Sequence, residues 1–334
     1  MNVSRANCES ISLPSTKTCT RFHGPEEIPG LDLSELVIHT SYRGHPQLGH
    51  QDHEALFRHE LLSAAEDGGM CASITIADKV SAACSLKPLV WDSEHFGMPM
   101  AKLSLAASSG CTPDKLLDLL RSLLSASPKA KPGLHVSCEI DIDNYLCLNT
   151  LLDLGAKIFD IKREFRCVSL SQVHTPKLLS RVRAFQPEDK VAVMQLLDSS
   201  GFETRFSRDP VLDPGKTAAM YRRWLEKLLD GNADDRIALV MERNEKVHAC
   251  GAIERRNLGS AGVDLQLMTG GIYISSPSGI GSYYPILYSL IAEAAKRNMT
   301  SQTCVSLNNH SATRVLEKMN VGTASVRYAM RLLA

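Results

Sequence analysis

Small residues stand between a strand pattern and a helical pattern in the second half of the chain. Residues 270–298 read GGIYISSPSGIGSYYPILYSLIAEAAKRN, with Ser-Gly-Ile-Gly at the junction. The first N–H groups of a helix lack intrahelical partners and carry partial positive charge. Gly279 and Gly281 let the backbone approach a diphosphate closely, and the hydroxyls of Ser278 and Ser282 add donors. The junction therefore predicts a phosphate site, with a tight turn that binds nothing as the alternative.

A metal site is the second chemistry that the residue types suggest. Five histidines follow one another closely in the first half: His39, His45, His50, His53 and His59. A helical zinc motif needs two histidines four residues apart, whereas a separation of six turns His53 and His59 about 240° apart. The ten cysteines are scattered and include no C-x-x-C pair. We therefore expect no metal, a solvated helix start at the histidines, and reduced, buried cysteines.

Charge and hydropathy restrict the possible partners. Lysine and arginine together number 37, as do aspartate and glutamate, and no basic run stands out. This balance argues against indiscriminate binding to nucleic acid or to an anionic membrane surface. No apolar run approaches the ~20 residues that span a bilayer, and MNVSRANCESISLPSTK at the start has no apolar signal core. We expect a cytoplasmic protein without a nucleic-acid or membrane partner.

The two halves of the chain end in the same way. Asn144 follows the strand pattern GLHVSCEID and precedes Gly155 by eleven residues. Asn309 follows the strand pattern TCVSLN and precedes Asn320 by the same spacing. Each pair encloses a short helical pattern and ends in a residue that tolerates left-handed backbone. The repeat predicts two related α/β domains.

The expected domains occupy most of the sequence. Residues 1–35 are rich in serine, proline and charge and predict a loose N-terminal tail. Residues 36–171 and 180–334 each predict one domain. Within the first, Trp91, Asp92, Phe96 and Gly97 are expected to form a strand–turn corner that packs the two domains together, with substrate contact as the alternative. Hairpin turns are expected at residues 77–79 and 244–245.

Two longer segments resemble a known enzyme superfamily. The stretch LVWDSEHFGMPMAKL at 89–103 is similar to the entry segment of tandem-GNAT sugar acetyltransferases, of which dTDP-fucosamine acetyltransferase is the type. RFSRDPVLDPGKTAAMYRRWLEKLLDG, from residue 205, resembles the segment between the first helices of that group. The resemblance to GNAT N-acyltransferases covers residues 70–334, and the Trp-Asp-Ser…Phe-Gly element is its most specific part.

The resemblance implies both a fold and an activity. The implied fold is two GNAT-like domains, each a mixed, mostly antiparallel twisted sheet flanked by helices. The first domain would be degenerate and structural, and the second would bind acyl-CoA. The implied function is acyl-CoA-dependent N-acyl transfer, with acetyl-CoA as co-substrate and a small polar amine as acceptor, such as an amino sugar or a nucleotide amino sugar. The alternative is a non-catalytic tandem-GNAT module that binds a metabolite or a protein partner.

The resemblance also assigns the residues that would contact acyl-CoA. In the family, the strand before the glycine turn pairs with the pantetheine arm, and the turn binds the pyrophosphate. The family loop carries an arginine and a further glycine that SPSGIG lacks. Asn309 matches a position that contacts the cofactor, although an ordinary helix N-cap explains it equally well. The expected cofactor-binding residues are Ile274, Ser275, Ser276, Ser278, Gly279, Ile280, Gly281, Ser282 and Asn309.

Leu316 departs from the family pattern at the catalytic position. Seven residues after the asparagine, the family commonly has a tyrosine that protonates the leaving CoA thiolate, which leucine cannot do. Loss of such an acid costs about 10²–10⁴-fold in rate. We expect another group to replace it, with Tyr283 and His310 as the leading candidates. Further candidates are Tyr284 and Tyr328 as the acid and Glu254 and Asp264 as the base.

Two arginines are the candidates for acceptor recognition. Arg205 and Arg208 flank an aromatic residue in GFETRFSRDP. Guanidinium groups bind phosphate through paired hydrogen bonds, as a nucleotide-linked acceptor would require. Structural ion pairs in a solvated loop are the alternative.

Overall fold

The computed structural model describes residues 19–127, 133–167, 169–171, 173–200, 204–232, 234–279 and 281–334. Its strands are β1 (Cys19–His23), β2 (Met70–Ile76), β3 (Lys79–Pro88), β4 (Met100–Ala107), β5 (His135–Asp141), β6 (Lys157–Cys167), β7 (Val182–Ala184), β8 (Arg236–Arg243), β9 (Lys246–Asn257), β10 (Gln266–Ser275), β11 (Thr300–Ser306) and β12 (Gly322–Leu333). Its α-helices are α1 (His50–Glu66), α2 (Val90–Phe96), α3 (Pro113–Ala126), α4 (Tyr145–Asp153), α5 (Lys190–Ser199), α6 (Arg205–Arg208), α7 (Pro214–Leu229), α8 (Tyr283–Lys296) and α9 (His310–Lys318). Among these helices, none is both long and apolar enough to cross a membrane.

The described strands form one sheet in the order β1-β2-β3-β4-β5-β12-β6-β11-β10-β9-β8-β7. Neighbouring strands run antiparallel except for the pairs β4–β5 and β10–β11, which run parallel. Helices α3 and α4 pack on the first-half strands, and α8 and α9 pack on the second-half strands. This is the mixed, mostly antiparallel architecture that the sequence led us to expect.

The last strand of each half lies in the other half of the sheet. Had each half kept its own final strand, β6 would adjoin β5 and β12 would adjoin β11. Instead β12 inserts between β5 and β6, while β6 pairs along its other edge with β11. The halves therefore exchange their final strands, and the division of the sequence near residues 171–180 is not a division of the sheet.

Residues 19–35, expected to belong to a loose tail, are part of the fold. Strand β1 pairs antiparallel with β2 and forms one edge of the sheet. Ile28 and Leu33 are fully buried in a cluster that includes Phe57 and Leu61 of α1. The expectation fails because these apolar side chains bury against a helix distant in sequence, which the local polar composition does not show. Residues 1–18 of the expected tail lie outside the described residues.

The segment around Trp91 forms a helix and not the expected strand–turn corner. Helix α2 ends at Gly97, which closes it in a left-handed conformation with φ of 72°. The segment still packs the two halves together, as expected. Phe96 lies in a cluster with Leu212 and Phe206 of the second half. Lys216 Nζ also donates a 2.9 Å hydrogen bond to the Phe96 carbonyl.

The histidine-rich stretch is more buried than we expected. His45 is 3% exposed, and His53 Nδ1 lies 2.8 Å from Thr40 Oγ1. His39 Nδ1 lies 3.7 Å from Asp141 Oδ1. Burial lowers the pKa of His39, His45 and His53, so the expected solvated helix start is wrong for these three. Within the described ranges, no group of three or more His, Cys, Asp or Glu side chains is arranged to hold a metal ion.

Candidate active site

Strands β10 and β11 diverge soon after they meet. They pair in parallel only at Leu267↔Thr300 and Met268↔Ser301. A β-bulge follows on β10 between Thr269 and Ile272, and it bends the strand. Beyond the bulge, β10 remains paired to β9 as far as Ser275, but its edge toward β11 has no strand partner in the described part of the chain. The two strands thus leave a wedge whose walls carry free backbone groups.

An apolar cavity of about 50 Å³ lies in this wedge, on the side covered by α8 and α9. The residues that matter for its chemistry are Tyr273, Tyr283, Leu287, Gln302 and Leu316. The rings of Tyr283 and Tyr273 meet edge to face, with centroids 4.4 Å apart. Burial raises the pKa of both phenols, which makes each a weaker acid than an exposed tyrosine.

The predicted phosphate turn connects this wedge to α8. Residues 277–279 form a 3₁₀ turn, and a Cβ at Gly279 would lie 2.6 Å from the carbonyl oxygen of His248. Gly281 has φ of +87°, and nothing lies within 4 Å of the position its Cβ would occupy. Gly279 is therefore required for packing, whereas the side of Gly281 is open to a ligand. Ile280 and the side chain of Ser278 lie outside the described residues.

The other expected cofactor residues follow the same path along the chain. Ile274 is buried and paired with Cys250, and Ser275 is paired with Ala249. The N–H of Ser276 donates a 2.9 Å hydrogen bond to the His248 carbonyl. Strand β10 is thus held from its β9 side up to the turn.

Ser282 is the N-cap of α8, but its hydroxyl points inward. It donates to the Gly279 carbonyl and lies 2.7 Å from the Tyr273 hydroxyl. The Ser282 side chain does not cap the first turn of α8, and no acidic residue lies in that turn. Among the described side chains, none therefore offsets the partial positive charge at the start of this 14-residue helix.

Asn309 is a helix N-cap, the role that the sequence offered as the alternative to cofactor contact. Its side-chain oxygen accepts a 3.1 Å hydrogen bond from the Ala312 N–H, as Asn144 does from Cys147 at the start of α4. His310 follows on the exposed surface. Of the described residues around the cavity, neither Asn309 nor His310 forms part of the wall. The structure therefore brings Tyr283 to the wedge and leaves His310 outside it.

The remaining acid and base candidates are dispersed. The Tyr284 hydroxyl donates to the His174 carbonyl, and Tyr328 packs against the first-half core. Asp264 is exposed. Glu254 lies opposite Thr269 beside the bulge in β10, where it is the nearest of the expected bases to the wedge.

The two arginines expected at the acceptor site are held in ion pairs. Arg205 Nη1 lies 2.7 Å from Glu139 Oε1, and Arg208 Nη1 lies 3.0 Å from Asp160 Oδ1. Burial alone would raise the pKa of Glu139, but Lys162, Arg205 and Arg327 outweigh it and hold that pKa far below its usual range. These contacts are the structural ion pairs that the sequence offered as the alternative to acceptor recognition.

A larger wedge lies in the first half and was not expected from the sequence. Strands β4 and β5 pair from Met100↔His135 to Lys102↔Ser137 and then diverge. The cavity beside them measures about 340 Å³ and is lined in part by Lys102, Glu139 and Arg327. Charged residues inside the strand patterns were the available signal, since Glu139 interrupts the apolar run of HVSCEID.

No protein-family model matches the chain, and no curated protein is significantly similar to it. Solved structures are similar. A GCN5-related N-acetyltransferase from Sphaerobacter thermophilus matches with a TM-score of 0.57 and 12% identity over 96% of each chain. A tandem GNAT protein from the clavulanic acid biosynthesis pathway matches with a TM-score of 0.54 and 12% identity, over 95% of this chain and 98% of that one. A GNAT-family acetyltransferase from Colwellia psychrerythraea matches at 0.50 and 14%, over 95% and 100%.

At such identities the likeness establishes the fold. The chain has the fold of these GNAT structures, a large, mostly antiparallel sheet flanked by helices, and its two parallel strand pairs are those described above. The finer resemblance to the dTDP-fucosamine acetyltransferase group stays a prediction.

Proposed function

We propose that the chain is an acyl-CoA-dependent N-acyltransferase that transfers an acetyl group to a small polar amine, such as an amino sugar or a nucleotide amino sugar. The observation that carries the proposal is the divergence of β10 from β11 directly before a glycine turn at the start of α8. In a GNAT fold, that arrangement supplies free strand edges for the amides of a pantetheine arm and helix N–H groups for a diphosphate.

The second half suits an anionic ligand better than the first. Helix α8 has no acidic residue in its first turn, and Gly281 leaves open space beside it. Helix α3, at the corresponding place in the first half, carries Asp114 in its first turn. A carboxylate there would repel a diphosphate and already interacts with the helix dipole. We therefore assign acyl-CoA to the part of the sequence from residue 180 onward.

The residues present define a route for the protons. The acceptor amine, once deprotonated, attacks the thioester carbonyl; the C–N bond forms, the C–S bond breaks, and the CoA thiolate leaves. In this proposal the Tyr283 hydroxyl gives its proton to that thiolate, and the nitrogen, which carries a surplus proton after the attack, returns that proton to the tyrosinate directly or through water. A phenol is protonated at neutral pH at its ordinary pKa, and burial raises the pKa of Tyr283 further. Glu254, beside the bulge of β10, takes the proton of the acceptor ammonium directly or through water.

Calorimetry with acetyl-CoA tests the proposal directly. We expect saturable binding of acetyl-CoA to the full chain, followed by thiol release when an amine acceptor is added. The acceptor series compares amino sugars and nucleotide amino sugars with the same sugars lacking the amine. Absence of binding at millimolar acetyl-CoA would remove the proposal.

One observation favours the competing function, a non-catalytic module. Leu316 is fully buried in the wall of the 50 Å³ cavity, where the family resemblance places a hydroxyl. A thermal-shift panel of CoA esters and nucleotide sugars separates the two functions. Stabilisation by a ligand without any turnover would support the binding module, because ligand binding to the folded state alone raises the melting temperature.

A further inference from the structure

Both tryptophans of the chain lie at one groove between the two halves. The sequence contains only two tryptophans in 334 residues. Trp91 of α2 and Trp224 of α7 line a groove of about 660 Å³ together with Phe206 and Tyr221. Trp91 is one of the exposed large apolar residues, at 42%, and its ring stacks on His95 with centroids 4.8 Å apart. The groove thus leaves part of an aromatic surface accessible and has the size of a small-molecule site.

Two cationic side chains at the groove have no carboxylate partner among the described residues. Arg223 and Lys227 lie four residues apart on α7 and both line the groove. Within the described ranges neither has a carboxylate partner, whereas the adjacent Arg222 pairs with Asp198 at 2.8 Å. The Arg223 guanidinium lies 5.9 Å from the centre of the Trp91 ring. Two cations are therefore available at the rim of an aromatic surface.

A carboxylate completes the groove at its inner end. Asp92 lines both this groove and the first-half cavity, and the described chain offers it no salt bridge. Burial raises the pKa of Asp92, and the nearby charge of Arg205 offsets this only in part. Such a group readily accepts a hydrogen bond from a ligand N–H.

We propose that this groove binds a nucleoside phosphate. The base stacks on Trp91 or Trp224, its N–H edge donates to Asp92, and its phosphate contacts Arg223 and Lys227. Aromatic side chains can stack on any nucleobase, because every base has a π-face. Two cations against one carboxylate favour a ligand with net negative charge and disfavour an organic cation.

The inference stands apart from acyl transfer. The groove shares no lining residue with the cavity between β10 and β11. Failure of acetyl-CoA to bind would leave it untouched, and failure of nucleotides to bind would leave acyl transfer to a simple amino sugar untouched.

Intrinsic fluorescence tests the proposal, because both tryptophans lie in the groove. We expect AMP and UMP to quench the tryptophan emission saturably after correction for the inner-filter effect. For each nucleotide, calorimetry should give the same affinity as the fluorescence titration. Adenosine should bind about tenfold more weakly, since it lacks the phosphate, and ribose 5-phosphate should bind more weakly because it lacks the base. The double change Arg223→Gln and Lys227→Gln should weaken AMP about tenfold and leave adenosine unchanged.

Two control variants separate the groove from general effects. Arg222→Gln removes a neighbouring cation that is already paired, and it should bind AMP like the unmodified protein. Trp91→Leu changes an exposed side chain, so it should fold normally and lose about tenfold in AMP affinity. The proposal is overturned if no nucleotide binds at millimolar concentration. It is also overturned if ribose 5-phosphate binds as well as AMP, if Arg222→Gln weakens AMP equally, or if choline binds in place of nucleotides.

Discussion

At the scale of single residues, Leu316 has two roles at once. It is fully buried in a cluster with Phe165, Leu287 and Met319, and it also forms part of the cavity wall. A Leu316→Tyr change should therefore overpack this face and lower the free energy of unfolding by ~1–3 kcal/mol. We expect no gain in turnover, because in our proposal Tyr283 already supplies the proton. Melting temperature and thiol release measured on the same preparations check both expectations.

The matched control is Leu316→Met, which nearly conserves volume and should cost less than ~1.5 kcal/mol. A rate gain for Leu316→Tyr at unchanged stability would show that position 316 faces the thioester and that no other acid serves it.

Tyr283→Phe removes the hydroxyl that we assign to the leaving thiolate. The ring remains in place against Tyr273, so the melting temperature should change little. Turnover should fall by about 10²–10⁴-fold, the usual contribution of a general acid. Acetyl-CoA affinity should stay nearly constant, since only the proton donor is lost. Rates under acceptor saturation and calorimetry give the two quantities.

Tyr284→Phe is the control for this change. The Tyr284 hydroxyl bonds the His174 carbonyl and lies outside the cavity wall. An equal loss of rate in both variants would contradict a specific role for Tyr283.

At the scale of elements, the connection from β10 to α8 is the part that a substitution can disable. Gly281→Asp places a carboxylate at the uncapped start of α8, in the open space beside Gly281. It should abolish acetyl-CoA binding by charge repulsion and by occupying the position of the diphosphate. Calorimetry on the variant measures the loss.

Gly281→Asn is the matched control, because asparagine has the same shape without charge and tolerates a positive φ. It should weaken binding less than aspartate does. If both variants bind acetyl-CoA as well as the unmodified chain, the diphosphate does not lie at this turn.

Elements that depend on local signals were predictable from the sequence. Both hairpin turns lie where turn residues predicted them, with positive φ at Ala77, Asp78, Asn244 and Glu245. Helix α2 was not predictable, because its conformation depends on packing against α7 more than on its local sequence pattern. The exchange of β6 and β12 was not predictable either. The two strands have similar sequence patterns, so nothing local selects the neighbour of each.

The candidate site shows the same limit. The glycine turn and the start of α8 follow from adjacent residues and were expected. The ion pairs of Arg205 and Arg208 link residues that lie 66 and 48 positions apart in the chain, so their partners could not be read from local sequence.

At the scale of the whole molecule, a buried ionic cluster ties the halves together. Asp209, in the second half, accepts from His135 of β5 at 3.0 Å and also pairs with Arg331 of β12. Burial alone would raise the pKa of Asp209, but the hydrogen bond from His135 and the charge of Arg331 outweigh it and lower that pKa. A lowered pKa stabilises the fold above the unfolded value of about 3.9, and this contribution is lost as the pH falls from that value through the lower folded pKa.

We therefore expect Asp209→Asn to have two effects. At neutral pH it should lower the free energy of unfolding by ~3–5 kcal/mol, because Arg331 is left buried without its partner. Between about pH 5 and pH 3 its stability should fall less steeply than that of the unmodified chain. Denaturant titrations across this pH range measure both. Asp198→Asn, which breaks an exposed pair with Arg222, should cost only ~0–1 kcal/mol, and an equal cost would contradict the assignment.

The exchanged strands have a consequence for how the chain reaches its native state. Strand β12 follows the other described strands along the sequence, yet it fills the gap between β5 and β6. While a ribosome is still making the second half, the first half has no neighbour for β5 on that side. Until β12 is made, the nascent first half has an unpaired strand edge at β5, which is a site for aggregation. A chain stopped before Gly322 should therefore be cut by protease within residues 135–167, and protection of that segment would contradict this view. The twelve-residue strand β12 thus closes a sheet whose other described strands are synthesised before it.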